Sequence, residues 1–251
     1  MDTPIVLVTG SNIGLGFEIV RALFRSPKAY TVLLGSRSEA NADEKLVSPV
    51  QVDLEDDESI QKAFNYVSRQ FGRVDVLINN AGGQFDQQMY SGSMTMREMW
   101  NKSWNVNTTG THILTYTFVP LLLRSQDPRL LFITSGTSTL TEAANPALFV
   151  NRPPAQGWPK ATGSVTAYRA SKTGMNMMMR EWTRILEHDG VKTFCVSPGF
   201  LATGLGGDQE RNREMGAIDP AIGAEFIREV VEGFRDKDKG MVVRRDGIQP
   251  W

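Results

Sequence analysis

The run Ile5-Val6-Leu7-Val8-Thr9 passes directly into Gly10-Ser11-Asn12-Ile13-Gly14-Leu15-Gly16, and then into Phe17, Ile19, Val20, Leu23 and Phe24. The first five residues are apolar and largely β-branched, as in a strand covered on both faces of a parallel sheet. The last group returns at helical spacing, so the order is strand, glycine turn, helix. In that order glycines let the backbone approach a pyrophosphate. The helix N-terminus adds unpaired N–H groups and the positive end of its dipole. Gly10, Ser11, Asn12, Ile13, Gly14 and Gly16 therefore form a candidate cofactor-binding turn. Glycine loops are common, and it is the flanking strand and helix that give this one meaning.

Outward from this stretch the pattern repeats. Thr31–Leu34 reads as a second strand and Val50–Asp53 as a third. A helix with Ile60, Ala63, Phe64 and Val67 on one face spans 56–71. A fourth strand, Val74–Ile78, stops at Asn79-Asn80-Ala81-Gly82-Gly83. Strands alternating with helices predict a parallel α/β sheet with right-handed crossovers. Two further helices are expected over 95–104 and 108–123, separated by Asn105-Val106-Asn107, with Pro120 kinking or ending the second. Leu130–Ile133 is a strand, and the stretch 145–163, with four prolines and Trp158, reads as an irregular loop. A strand at Val191–Val196, a helix over 220–234 and a strand ending at Val243 complete the chain. Residues 204–218 are Gly-rich and charged without a strong period, and are a candidate substrate lid.

The second strand opens into Gly35-Ser36-Arg37-Ser38. An NAD enzyme usually carries an acid here for the adenine ribose hydroxyls, but the nearest acid is Glu39. A hydroxyl and a guanidinium suit a 2′-phosphate instead, which points to NADP(H) held by Ser36 and Arg37.

A second chemical device lies at Thr166-Ala167-Tyr168-Arg169-Ala170-Ser171-Lys172, the start of an amphipathic helix whose apolar side carries Met175, Met178, Met179, Trp182, Ile185 and Leu186. Tyr168 and Lys172 are four positions apart and share a face. A phenol ordinarily titrates near ~10. A positive charge about 4 Å away, through an effective dielectric near 20, favours the phenolate by roughly 4 kcal/mol before solvation losses. That would bring the phenol towards neutral pH, where a general acid works best. Taken alone, the pair is better read as a surface Tyr/Lys pair on an ordinary helix.

Composition narrows the choices. At 251 residues, 1–251 is most simply one domain. A net charge of −1 argues against a nucleic-acid or anionic-membrane partner. The one cysteine, Cys195, sits in an apolar strand and reads as core, in keeping with a reducing compartment. The two histidines, His112 and His188, lack further ligands at metal spacing, so no metal site is expected. No apolar run reaches the ~20 residues of a spanning helix. The first strand begins at Ile5, which leaves no room for a cleavable leader. A soluble, cytoplasmic protein is expected.

Taken together, Thr9-Gly10 with Gly14 and Gly16, then Asn80-Ala81-Gly82, Asn107, Ser135, Tyr168 with Lys172, and Pro198-Gly199 with Thr203, stand in an order that resembles the short-chain dehydrogenase/reductase family over nearly the whole chain. The resemblance implies a single-domain Rossmann fold, a doubly wound parallel sheet of about seven strands with helices on both faces. It implies Tyr168 as proton donor to a substrate carbonyl oxygen, Lys172 lowering its pKa and holding the nicotinamide ribose, Ser135 hydrogen-bonding the same oxygen, and Asn107 anchoring a water. Asp53 and Leu54 would meet the adenine, and Pro198, Gly199, Leu201 and Thr203 the carboxamide side of the nicotinamide.

Ser135 and Tyr168 stand 33 positions apart, farther than in many members, so an insertion is placed at 140–160 before the catalytic helix. Ser138 is then an alternative to Ser135, whose position directly after Leu130–Ile133 favours it. The insertion resembles that of the family's carbonyl reductases, some of which are monomers. Its prolines lead straight into the tyrosine helix, and a monomer is the weak expectation. The Asp246-Gly247-Ile248-Gln249-Pro250-Trp251 ending differs from the Asp-Gly-Gly of tetrameric members.

The expected activity is NADPH-dependent reduction of an apolar ketone, aldehyde or quinone. Phe149, Trp158, Phe200 and Leu201 are offered as pocket lining, with plain core packing equally open for each. Two alternatives stand beside it: a secondary-metabolite enzyme that couples reduction to cyclisation, and a non-catalytic NADPH-binding sensor. The presence together of Asn107, Ser135, Tyr168 and Lys172 counts against the sensor.

Overall fold

The apolar strands find partners on both sides. In the computed structural model, which describes residues 3–37, 47–160 and 164–251, β1 (Ile5–Thr9) lies inside a sheet with β2 (Thr31–Ser36), β3 (Val47–Gln51), β4 (Val76–Asn79), β5 (Arg129–Ile133), β6 (Lys192–Ser197) and β7 (Val242–Arg244). The order is β3-β2-β1-β4-β5-β6-β7, all parallel, and a two-residue β8 (Gly247–Ile248) pairs antiparallel with β7 at the edge. The helices in chain order are α1 (Gly14–Phe24), α2 (Asp57–Gln70), α3 (Asp86–Tyr90), α4 (Met96–Trp104), α5 (Thr111–Leu122), α6 (Leu140–Ala143), α7 (Thr166–Ile185), α8 (Gln209–Glu214) and α9 (Pro220–Val231).

Alternation along each strand divides the core into two layers. Leu7, Leu77, Leu130 and Phe132 pack with Val67, Phe118, Met175 and Trp182, from α2, α5 and α7. Val6, Val8, Ile78 and Leu131 pack with Ile19, Leu23, Ile227 and Val230, from α1 and α9. Leu7 and Leu77 are in register on neighbouring strands and fully buried. Truncating either to Ala costs about 2–5 kcal/mol. After β3 the chain crosses to β4 on the other side of β1. The C-terminal ends of β1 and β4 thus flank the topological switch point, where open α/β sheets bind ligands.

Several local expectations are corrected. Asn105–Gly110 is a π-helical turn joining α4 to α5, not a break between two helices, and it turns Asn107 into the interior. The third strand starts at Val47, and Pro120 precedes the last residues of α5. Of the residues expected on the apolar side of α7, Ile185 is half exposed, while Leu186 is buried. Within 204–218 the chain forms α8, because Asp208 accepts from the backbone N–H groups of Glu210 (2.7 Å) and Arg211 (3.1 Å). Gln209 and Asn212 then tie α8 back to the carbonyls of Ala202 and Thr203. The 140–160 stretch is pinned from α7, where Arg169 donates to Val150 O and Asn151 Oδ1. Among the described residues no helix is long and apolar enough to cross a membrane, and no cluster offers a metal three ligands.

Candidate active site

The α1 N-terminus opens the site. Gly10 and Gly14 have φ of +64° and +57°, backbone that favours glycine. A Cβ on Gly16 would lie 2.1 Å from Gly10 O, so only glycine fits between the loop and α1. Ile13 gives α1 no side-chain cap, and no acid lies in the first turn. The leading N–H groups of α1 are thus left for something else to satisfy, beside an Ile13 side chain that is 73% exposed. Asn80 braces the loop by donating to Thr9 O (2.8 Å) and Gly10 O (3.1 Å), while Thr9 Oγ1 accepts from the N–H groups of Asn80 and Ala81. Ser11 is buried with its hydroxyl turned to Gly35 O, which makes it an anchor, whereas Asn12 is exposed.

Around the rim, Ser36 is buried and Arg37 exposed, the Arg37 carbonyl accepting from Gln51 Nε2. Glu39 lies outside the described residues. Asp53 is half-buried and accepts from Glu55 N (3.0 Å), with Leu54 buried next to it. Opposite, Gly199 has φ of +112°, and a Cβ on Gly14 would meet Thr203 at 3.6 Å. The Leu201 side chain packs against Gly223, and Pro198 faces the same glycine.

Asn107 is fully buried. Its Oδ1 accepts from Gly83 N (2.9 Å), and its Nδ2 donates to Gly83 O (2.9 Å) and Ser171 Oγ (3.0 Å). It therefore locks the strand-end loop to α7. A Cβ on Gly82 would come within 2.9 Å of Asn107 Oδ1 and 3.3 Å of Lys172 Nζ. The missing side chain lets the strand-end loop approach both groups closely.

Ser135 and Ser138 separate clearly. Ser138 is buried, donates to Ser135 O (2.6 Å) and accepts from Asn176 Nδ2 (2.9 Å), so it scaffolds the loop. Ser135 is half-buried; its hydroxyl hydrogen-bonds with Thr137 Oγ1 (3.0 Å) and accepts from Thr137 N (3.2 Å), and its side chain lies near the phenol of Tyr168. Lys172 Nζ donates to Ile133 O (2.8 Å) and lies 6.0 Å from the Tyr168 ring centroid. Burial pushes the Tyr168 phenol above its usual range, with the Ser135 hydroxyl opposing. Burial also brings the Lys172 ammonium down to about 8, with Cys195 opposing. The expected fall of the phenol's pKa is thus reversed here, because the ammonium is turned to a strand carbonyl and desolvation outweighs it.

Residues 4–147 match the model of the short chain dehydrogenase family. Over 270 aligned residues the chain is 43% identical to the short-chain dehydrogenase/reductase eupG of Phoma sp, covering 98% of this chain and 97% of that one. The chain belongs to the short-chain dehydrogenase/reductase family. The enzyme tropE of Talaromyces stipitatus is likewise 43% identical, over all of this chain and 98% of its own. Among solved structures, the NADPH-bound carbonyl reductase of chicken fatty liver superposes with a TM-score of 0.79 over the full length of both chains at 19% identity, a likeness of fold. As an oxidoreductase of a family that uses NAD(P)(H), this short-chain dehydrogenase fits such a cofactor on its own geometry. The glycine cradle and the uncapped α1 N-terminus are what a dinucleotide needs.

Two site residues of this short-chain dehydrogenase carry no mark in the sequence. Asp86, 1% exposed, accepts from the backbone N–H of Ala167 (3.0 Å) and Tyr168 (3.3 Å). Burial raises its carboxyl, and these bonds oppose. Gln249, fully buried, donates from Nε2 to Ser135 O (3.1 Å) and Ser138 Oγ (3.2 Å), placing the C-terminal segment under the serine loop. The available hint was that α7 begins behind Val165, which cannot cap it, so its first N–H groups need a remote acceptor.

Proposed function

We propose that this short-chain dehydrogenase reduces the carbonyl group of an apolar ketone, aldehyde or quinone with NADPH. The observation that carries the reading is the buried Tyr168 phenol near Ser135, with the buried Lys172 ammonium 6.0 Å from its ring centroid on the same helix face. Gly10 to Gly16 would hold the pyrophosphate, Asp53 and Leu54 the adenine, and Pro198 to Thr203 the carboxamide. Ser36 and Arg37 would hold a 2′-phosphate, a role supported by the exposed guanidinium at the end of β2. A nicotinamide held there would supply the hydride that the carbonyl carbon accepts. Ser135 donates a hydrogen bond to the carbonyl oxygen, and Tyr168 Oη delivers a proton to it as negative charge develops. Burial keeps the phenol protonated at neutral pH, which favours reduction. The transfer runs downhill because an alkoxide is more basic than a phenolate. The Lys172 ammonium stabilises the phenolate left behind and can return a proton to it.

The apolar preference is supported by the exposed rings of Phe149, Trp158 and Phe200. A single chain is taken as the working unit, and light scattering at micromolar concentration should give a monomer; a stable dimer or tetramer would overturn that point. The activity is tested by following NADPH oxidation by absorbance over a panel of ketones, aldehydes and quinones. Turnover of at least one carbonyl, lost in Tyr168→Phe, is expected. Turnover that survives in Tyr168→Phe would place the acid elsewhere.

A further inference from the structure

The first turn of α7 carries Tyr168, and its free N–H groups are met from another part of the chain. Asp86 takes the N–H of Ala167 and of Tyr168 itself, and from the other end of α3 Tyr90 Oη accepts from Ser164 N (2.8 Å). The next turn of α7 has its own anchors. Ser171 is held by Asn107 Nδ2 (3.0 Å) and by Thr108 Oγ1, which donates to its carbonyl (3.1 Å), and Lys172 is held at Ile133 O. The two turns of one helix are therefore fixed by different elements. Asp86 follows closely on Gly83, whose N–H and carbonyl are both bound by Asn107. A short, hydrogen-bonded path thus runs from the cofactor loop through α3 to the backbone of Tyr168.

We propose that Asp86 is a positioning residue for the proton donor: its carboxylate, by receiving the Tyr168 N–H, sets the phenol against Ser135 in register with the loop that follows β4. The proposal rests on Tyr168 being the donor. Asp86 itself touches neither substrate nor cofactor. A donor moved by an ångström loses on the order of 10²-fold in rate, whereas groups anchored separately keep their place. Lys172 and the glycine cradle are anchored separately.

The test combines Asp86→Asn, which keeps one acceptor oxygen, and Asp86→Ala with Tyr168→Phe in a double-mutant cycle, each protein checked for folding by circular dichroism. On the wild-type background kcat should fall by about 10- to 100-fold while NADPH affinity, read by fluorescence titration, holds. On the Tyr168→Phe background the Asp86 substitutions should have almost no further effect on kcat, since the group being positioned is gone. Amide hydrogen exchange in the peptide spanning the start of α7 should rise in Asp86→Asn, and this reads the contact without reference to activity. Equal losses of kcat on both backgrounds, or NADPH affinity falling in step with kcat, would overturn the proposal. Unchanged exchange at the start of α7 would do the same. If Tyr168→Phe alone turns over at the wild-type rate, it is the reading of Tyr168 that fails, and the exchange result still decides whether Asp86 holds the helix.

Discussion

The two ends of the strands handle charge in opposite ways. At the N-terminal ends, each buried charge meets an opposite one. Asp75 accepts from Ile5 N (2.7 Å), Arg73 Nε (3.1 Å) and Ser125 Oγ (2.6 Å). The Arg129 guanidinium lies between Asp127 and Asp236, and Lys192 reaches both of those carboxylates, at 2.6 and 2.8 Å. Burial raises the Asp127 and Asp236 carboxyls, but bonds from Lys192 and Arg129 outweigh it and leave them below their usual range. At the C-terminal ends, Lys172 is buried with no ion pair among the described residues, beside a buried phenol. One edge is satisfied and serves stability. The other retains an unpaired ammonium brought down to about 8, close to changing its protonation, as sites of proton transfer do.

Substitutions at the two edges should therefore separate activity from stability. The largest effect is expected for Tyr168→Phe, with kcat down roughly 10²–10⁴-fold and NADPH binding and melting temperature nearly unchanged. A loss of only a few-fold would remove the contrast. Arg129→Met should do the reverse. Removing one partner of a buried ionic cluster costs about 3 kcal/mol, read by urea denaturation, while kcat of the folded fraction stays at the wild-type level. A smaller effect belongs to the rim. Arg37→Ala should weaken NADPH binding by about 10- to 150-fold, the equivalent of a charged hydrogen bond of roughly 1.5–3 kcal/mol, and leave NADH binding alone. Equal weakening of both cofactors would end the phosphate reading at Ser36 and Arg37.

How much of this was legible in the sequence depends on contact range. The seven parallel strands and the longer helices between them were readable because apolar periodicity is local, whereas the short α3, α6 and α8 were not. β8, two residues long, is too short to show a period, and the π-turn at Asn105–Gly110 has no pattern distinct from a helix break. The glycine loop, Tyr168 and Lys172 stood out through spacing. Asp86 did not, since its contact with Ala167 spans 81 positions, and neither did Gln249, which meets Ser135 from 114 positions away. The direction of the Tyr168 shift was likewise out of reach. It depends on how deeply α7 seats the phenol, and burial reversed a sign that neighbouring charge alone would have set.

The claim that Lys172 is kept buried for chemistry, against stability, is tested most directly by the pH dependence of unfolding for wild type and Lys172→Met without cofactor. In the folded chain Lys172 titrates at about 8 against 10.5 for the free side chain. Below pH 8 both states hold the proton and the folded protein bears the full cost of the buried charge. Between the two values the unfolded chain binds more protons, so wild-type stability rises with pH. The methionine variant lacks this dependence. Wild-type stability relative to the variant should climb by about 3 kcal/mol as pH goes from 7 to above 10, while the variant is inactive throughout. A difference that is flat with pH, or that moves against the wild type as pH rises, would contradict the account.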